Sequence, residues 1–158
     1  MTLPAGYTLR TALPADAETV QNQRDAMFTD MGQGGPGLER ARPGALDWHR
    51  RALASGLYRG FLVETGGEVV AGAGVLWQDL PPSPSTFSGR RAYVLNVYVQ
   101  PEHRGRGLSR RLLERVLDEC RTQGVQVVTL HASEAGRSLY ERTGFKPTSE
   151  LRLVLEEL

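Results

Sequence analysis

From Leu108 onward the apolar positions Leu108, Leu112, Leu113, Val116, Leu117 and Cys120 recur at helical spacing, with Arg, Glu and Asp between them. This spacing predicts an amphipathic helix with one buried face, and Gly124 stands where such a helix would cap. Just before it, residues 91–99 are apolar on both parities: Tyr93, Leu95, Val97 and Val99 on one face, Val94, Asn96 and Tyr98 on the other. A strand of that kind belongs in the middle of a sheet, and Pro101 ends it. Residues 61–64 and 68–77 are two β-rich runs joined through Thr65-Gly66-Gly67, which predicts a hairpin.

The remaining pattern is weaker. Residues 7–10 read as a short first strand, and Pro14 opens a polar helix carrying Val20, Met27 and Phe28. The glycine-rich residues 31–37 read as a flexible loop, followed by a helix over 45–55 with Leu46, Trp48 and Leu53. Residues 81–85 hold three prolines and form a loop. A strand over 125–131, a helix over 134–142 that stops at Gly144, and two short strands at 145–147 and 151–155 complete the chain. The order predicts one domain over 1–158, a mixed α/β (α+β) protein without internal repeats.

Composition narrows the function. A chain of 158 residues has room for a core without disulfides or metals. The net charge of +1 lacks the global basic field of a nucleic-acid binder. Lys146 is the only lysine, a bias that carries little functional weight. A lone Cys120 and the absence of Cys/His clusters at zinc-ligand spacing argue for a reducing compartment and against a metal. With no signal-like N-terminus and no apolar run of membrane-spanning length, the expected location is cytoplasmic, with no membrane partner.

The chemistry gathers in two clusters. Arg104-Gly105-Arg106-Gly107 joins the central strand to the amphipathic helix. Glycines give the backbone freedom to approach an anion, and the helix start offers unpaired N–H groups and the positive end of its dipole. No Lys-Ser/Thr follows as in a P-loop, and the third glycine of a dinucleotide site is missing. The second cluster is Ser133-Glu134-Ala135-Gly136-Arg137-Ser138-Leu139-Tyr140-Glu141-Arg142-Thr143-Gly144-Phe145.

Together these segments resemble the GCN5-related N-acetyltransferase (GNAT) family. Its pyrophosphate motif, Arg or Gln, two residues, Gly, one residue, then Gly or Ala, is matched by Arg104-Gly105-Arg106-Gly107-Leu108-Ser109, with Ser109 at the last place. Gly136 and Tyr140 match the second segment, and Ser133 replaces its usual Asn. The resemblance implies the GNAT fold, a mostly antiparallel mixed sheet of six to seven strands flanked by about four helices. It also implies acetyl-CoA as co-substrate, with its pyrophosphate held by residues 104–109, its pantetheine arm paired to backbone at Val97 and Val99, and Ser133 supplying a further hydrogen bond.

The implied reaction is direct attack of a primary amine on the thioester in a ternary complex. A strand N–H near Val97 or Val99 holds the oxyanion, and the Tyr140 hydroxyl protonates the leaving thiolate. The family often places a carboxylate base on the central strand, but residues 93–99 contain none. Glu64, Asp79 or His131 acting through water are candidates, or the amine arrives already deprotonated; among side chains His131 leads because imidazole titrates near neutrality. Phe28, Trp48, Trp77 and Asp79 are candidate contacts for a small-molecule or peptide acceptor. The resemblance leaves room for a homodimer through C-terminal strands, and for a different reading, a module that senses acyl-CoA without turning it over.

Overall fold

The computed structural model describes residues 2–157. Its frame is a five-stranded sheet in the order β1 (Thr8–Thr11), β2 (Tyr58–Thr65), β3 (Glu68–Asp79), β4 (Arg90–Val99) and β5 (Val128–Leu130). The first four run antiparallel to their neighbours, and β5 lies parallel to β4. The β2–β3 hairpin turns on Gly66 and Gly67, with φ of 56° and 79°, as its Gly-Gly signal predicts.

Helix α3 (Leu108–Thr122) covers one face. Leu108, Leu112, Val116 and Cys120 pack there on Ala71, Ala73, Val75, Trp77, Ala92 and Val94. The other face carries α1 (Ala17–Asp30) and α2 (Pro36–Ser55), whose Ala17, Val20, Ala52 and Leu53 meet Tyr58 and Leu62. Here β3 presents Gly72 and Gly74 because there is no room for more: a Cβ on Gly74 would sit 2.0 Å from the Tyr58 hydroxyl, and one on Gly72 2.2 Å from Gln23 Oε1.

The central strand departs from plain alternation. Gly72 pairs with Tyr98 but Gly74 pairs with Leu95, so Ala73 opposes both Asn96 and Val97. This is a β-bulge, and Asn96 takes the left-handed conformation it needs, with φ of 60°. Leu95 and Asn96 therefore both face α1 and α2, while Val97 and Val99 join Ala92 and Val94 beneath α3. This corrects the expected grouping of Val97 and Val99 with Leu95 and Tyr93.

Other boundaries move for physical reasons. Helix α2 starts at Pro36 and runs through Pro43, so the loop before it is shorter than the 31–37 expected. The fourth helix, α4, spans Arg137–Thr143. Strand β5 pairs with β4 only from Ala92 to Val94, ahead of the bulge, and shrinks to three residues. The strands expected at 145–147 and 151–155 do not form, so the sheet has five strands and not six or seven. An alternating run becomes a strand by burying one face; Leu151, Leu153 and Leu155 are 95%, 65% and 73% exposed.

Candidate functional site

Past Val94, β4 and β5 part, leaving one side of β4 without a neighbouring strand. Gln100 donates its N–H to Val70 O on β3, so the alternation of an antiparallel strand turns the backbone groups of Val99 and Val97 the other way, into the split. The Val99 carbonyl accepts there from Arg104 Nε at 2.9 Å.

At the end of the split lies a cavity of about 270 Å³ lined by Val99, His103, Arg104, Gly105, Gly107, Leu108, Ser109 and Arg110, with Leu139 and Arg142 of α4. The turn between β4 and α3 is built by Gly105 and Gly107, with φ of 76° and 78°. A Cβ at either would meet no atom within 4 Å, so backbone conformation and not crowding requires glycine. Gly107 caps α3, and its carbonyl accepts the first helical bond, from Arg111 N. The N–H groups of Leu108, Ser109 and Arg110 precede that bond and point at the helix start, where an anion is favoured.

Residues far away in sequence brace this turn. Arg104 pairs with Asp30 at the end of α1 at 2.7 Å. The Tyr7 hydroxyl accepts from Arg106 at 2.9 Å and shares a hydrogen bond with His103 Nδ1 at 2.7 Å. Arg106 is thereby held to the side and does not line the cavity. Tyr7 and Asp30 were missed by sequence reasoning, because no local pattern marks a partner 99 or 74 positions away.

Tyr140 lies on α4 beside Leu139, 8% exposed, with its ring edge on Phe145 at 5.9 Å. A Cβ on Gly136 would come within 2.9 Å of that ring, which explains the glycine one turn earlier. Desolvation alone raises the Tyr140 pKa, so its hydroxyl stays protonated at neutral pH. Ser133 Oγ accepts from Gly136 N at 3.1 Å and so caps the turn into α4, with its own proton available to a further acceptor. Neither Ser133, Tyr140, His131 nor Val97 lines the cavity itself. His131 is exposed at the end of β5, with Nδ1 in a short hydrogen bond to the Tyr93 hydroxyl.

The α1–α2 side of the split holds a polar network. Asn96 Nδ2 donates to His49 Nε2 at 3.1 Å and to the Tyr58 hydroxyl at 3.2 Å, and Asn96 Oδ1 accepts from Arg24 at 2.8 Å. His49 Nδ1 in turn faces Gln21 Oε1 and Ala45 O, an arrangement that suits the neutral Nδ1–H tautomer. Burial lowers the His49 pKa and pushes the Tyr58 phenol up to about 12, so both are neutral. Of the expected acceptor contacts, Trp77 is instead core, packed under α3 with Arg90 4.6 Å over its ring. Trp48 packs edge-on against His49 and Tyr58, while Phe28 lies under Arg24. The Cys120 thiol, buried and pushed up to about 11, is unsuited to nucleophilic attack.

A strand that opens beside a glycine-built helix start is now in view, and residues 24–145 match the acetyltransferase (GNAT) family. The chain belongs to that family. A GCN5-related N-acetyltransferase from Ralstonia eutropha JMP134 is 36% identical, with a TM-score of 0.92 over 96% of this chain and 99% of its own. A predicted acetyltransferase from Clostridium acetobutylicum, crystallised with acetyl-CoA, is 27% identical with a TM-score of 0.90 over 96% and 98% of the two chains. Among curated GNAT relatives, the L-amino acid N-acyltransferase MnaT of Escherichia coli is 37% identical over 42% of this chain and 41% of its own length. The match to human N-acetyltransferase 8B covers 33% of that relative, so the chain spans well under half of these first curated relatives. The mixed α/β sheet fits the GNAT neighbours, with a strand count lower than the resemblance implied. Among the described residues no helix is long and apolar enough to cross a membrane.

Proposed function

We propose that this chain moves the acetyl group of acetyl-CoA to a primary amine by direct attack in a ternary complex. The cavity at the start of α3 carries the reading: Gly105 and Gly107 in left-handed conformation, three N–H groups ahead of the first helical bond, and Arg104 and Arg110 at its wall. That donor set fits a pyrophosphate. The backbone of Val97 and Val99 faces the split beside it, where an extended amide-bearing arm would add like a strand. Similarity to the acetyl-CoA-bound Clostridium protein supports the same ligand.

Bound acetyl-CoA supplies an acetyl group activated as a thioester. The chain's own part is positional and acid–base. The strand N–H at Val97 or Val99 polarises the acetyl carbonyl, and Tyr140, kept protonated by burial, donates to the departing sulfur. His131, with Tyr93 bonded to Nδ1, receives the proton of the amine in this reading. Ser133 and Ser109 supply hydroxyl donors along the cofactor. Relatives are named for small-molecule and protein amines, such as MnaT and the ribosomal protein bS18 alanine N-acetyltransferase of Salmonella typhimurium. The acceptor proposed here is a small-molecule or peptide amine, with neither nucleic acid nor membrane as partner, and the lone thiol fits a cytoplasmic setting. The exposed Leu151, Leu153 and Leu155, together with β5 as an edge strand, support a homodimer.

Release of CoASH from acetyl-CoA with a panel of primary amines tests the activity, and separates it from a module that only binds acyl-CoA. Within it, Tyr140→Phe is expected to lose ~10²–10⁴-fold in kcat with acetyl-CoA affinity retained by calorimetry. Unchanged turnover in that variant would assign Tyr140 to packing alone.

A further inference from the structure

Arg24 occupies an unusual position in the network around the bulge. It sits on α1, partly buried, with its guanidinium 4.7 Å from the Phe28 ring centroid and one N–H donated to Asn96 Oδ1. Its bond to Asn96 sets it on the α1-facing side of β4, two residues past Val94, where the pairing with β5 ends. A guanidinium carries five N–H donors, and Arg24 spends one of them within the described residues. The others are not sealed among apolar atoms, in contrast to Arg91 Nε, which is buried without a partner.

No carboxylate is ion-paired to it, although the charge of the neighbouring Asp25 acts on it. Asp25 is bonded by Arg42 and Gln21, Asp30 by Arg104, and Arg24 enters no ion pair among the described residues. Desolvating a cation without an opposite charge is unfavourable, and a protein interior ordinarily avoids it. The arrangement leaves a positive fork, backed by an aromatic ring and an amide and without an ion-pair partner among the described residues, beside the bulge. The next residue after Asn96 is Val97, whose backbone faces the split proposed for the acetyl-bearing arm. Tyr93, on the same strand and within the field of Arg24, bonds His131.

We infer that Arg24 anchors a carboxylate on the acceptor, so that the substrates are small amines carrying a carboxylate near the nucleophilic nitrogen, amino acids above all. A carboxylate on the Arg24 fork, held by charge-assisted hydrogen bonds, leaves the amino group to reach past Asn96 toward the split and the His131–Tyr93 pair. Arg24 is thus a specificity residue, and it rests on the acetyltransferase reading above. Asn96 has a part in this: its own bonds to His49 and Tyr58 fix the amide oxygen that orients the guanidinium.

The test uses the full chain with L-amino acids, each paired with its amide and with the amine that lacks the carboxyl group, reading kcat/KM for CoASH release. The wild type is expected to favour the best acid over its amide by roughly ten- to a hundredfold, the scale of hydrogen bonds to a charged group. Arg24→Gln should collapse that ratio toward one, and Arg24→Lys, which keeps the charge and loses the fork, should fall between. Equal use of acid and amide by the wild type overturns the inference. So does an Arg24→Gln variant that lowers both alike, since that is what a merely structural arginine would do. If no amine of any kind releases CoASH, the acetyltransferase reading is what fails. Calorimetric titration of the same acid and amide pairs then decides Arg24 without turnover: tighter binding of the acid, lost in Arg24→Gln, supports it, and equal or absent binding of the acids at millimolar concentration overturns it.

Discussion

Single residues in this chain often owe their identity to something lying across them. Gly74 is the sharpest case. Its backbone needs no special conformation, yet a Cβ would fall 2.0 Å from the hydroxyl and 2.1 Å from Cζ of Tyr58, in the middle of the sheet. Tyr58 is buried and its hydroxyl accepts from Asn96, so it cannot swing aside without releasing the bulge residue. Gly74→Ala is therefore expected to destabilise the fold by about 1–3 kcal/mol, the usual cost of overpacking. Urea unfolding measures it, and Gly44→Ala is the control, because nothing lies within 4 Å of a Cβ there in α2. The control should be neutral or slightly stabilising, since alanine suits a helix better than glycine. A Gly74→Ala midpoint equal to wild type would mean that Tyr58 has somewhere else to go. The sequence carried no sign of this: glycine in an apolar strand marks close approach by something, and what approaches belongs to another element.

Elements differ in how far local pattern determined them. Helix α3 and the β2–β3 hairpin were legible because their signals are local: a four-residue apolar spacing in one, two β-rich runs about Gly66-Gly67 in the other. The glycine-arginine turn was legible for the same reason. The bulge at Asn96 was not, because two residues facing one is a statement about register with β3, and no count along β4 alone contains it. Helix α2 was misjudged at its start, since Pro43-Gly44 reads as a break. The turn before α3 makes a prediction at this scale. Gly107 has φ of 78° with open space around it, so a side chain is excluded by conformation alone. Gly107→Ala forces either ~1–2 kcal/mol of strain or a relaxed turn that swings the α3 N–H groups away. Acetyl-CoA affinity should fall by roughly tenfold on that scale, with the far-off sheet unaffected. Calorimetry on the variant measures the loss, and an unchanged Kd would remove the turn from the proposed phosphate site.

At the scale of the whole molecule, the sheet is left open on the side where the chain ends. Among the described residues β5 pairs with β4 and no strand pairs with its outer edge, and it is only three residues long. The residues that follow α4 carry the alternation of a strand, yet Leu151, Leu153 and Leu155 stand in solvent. An edge strand and an unused apolar alternation are each a template for pairing, and in a symmetric dimer each copy satisfies the other. The expected two-strand addition at 145–155 would then be formed between copies and not within one, which reconciles the pattern with its absence from the single chain. Sedimentation equilibrium should give about twice the 17.4 kDa of one chain at micromolar concentration. Replacing Leu151, Leu153 and Leu155 together by serine should return the monomer mass while leaving acetyl-CoA affinity intact, because the cavity proposed for the cofactor is lined from residues 99 to 142 and none of the three is among its lining residues. A wild-type chain that sediments as a monomer would rule the pairing out, and the exposed leucines would then need a partner of a different kind.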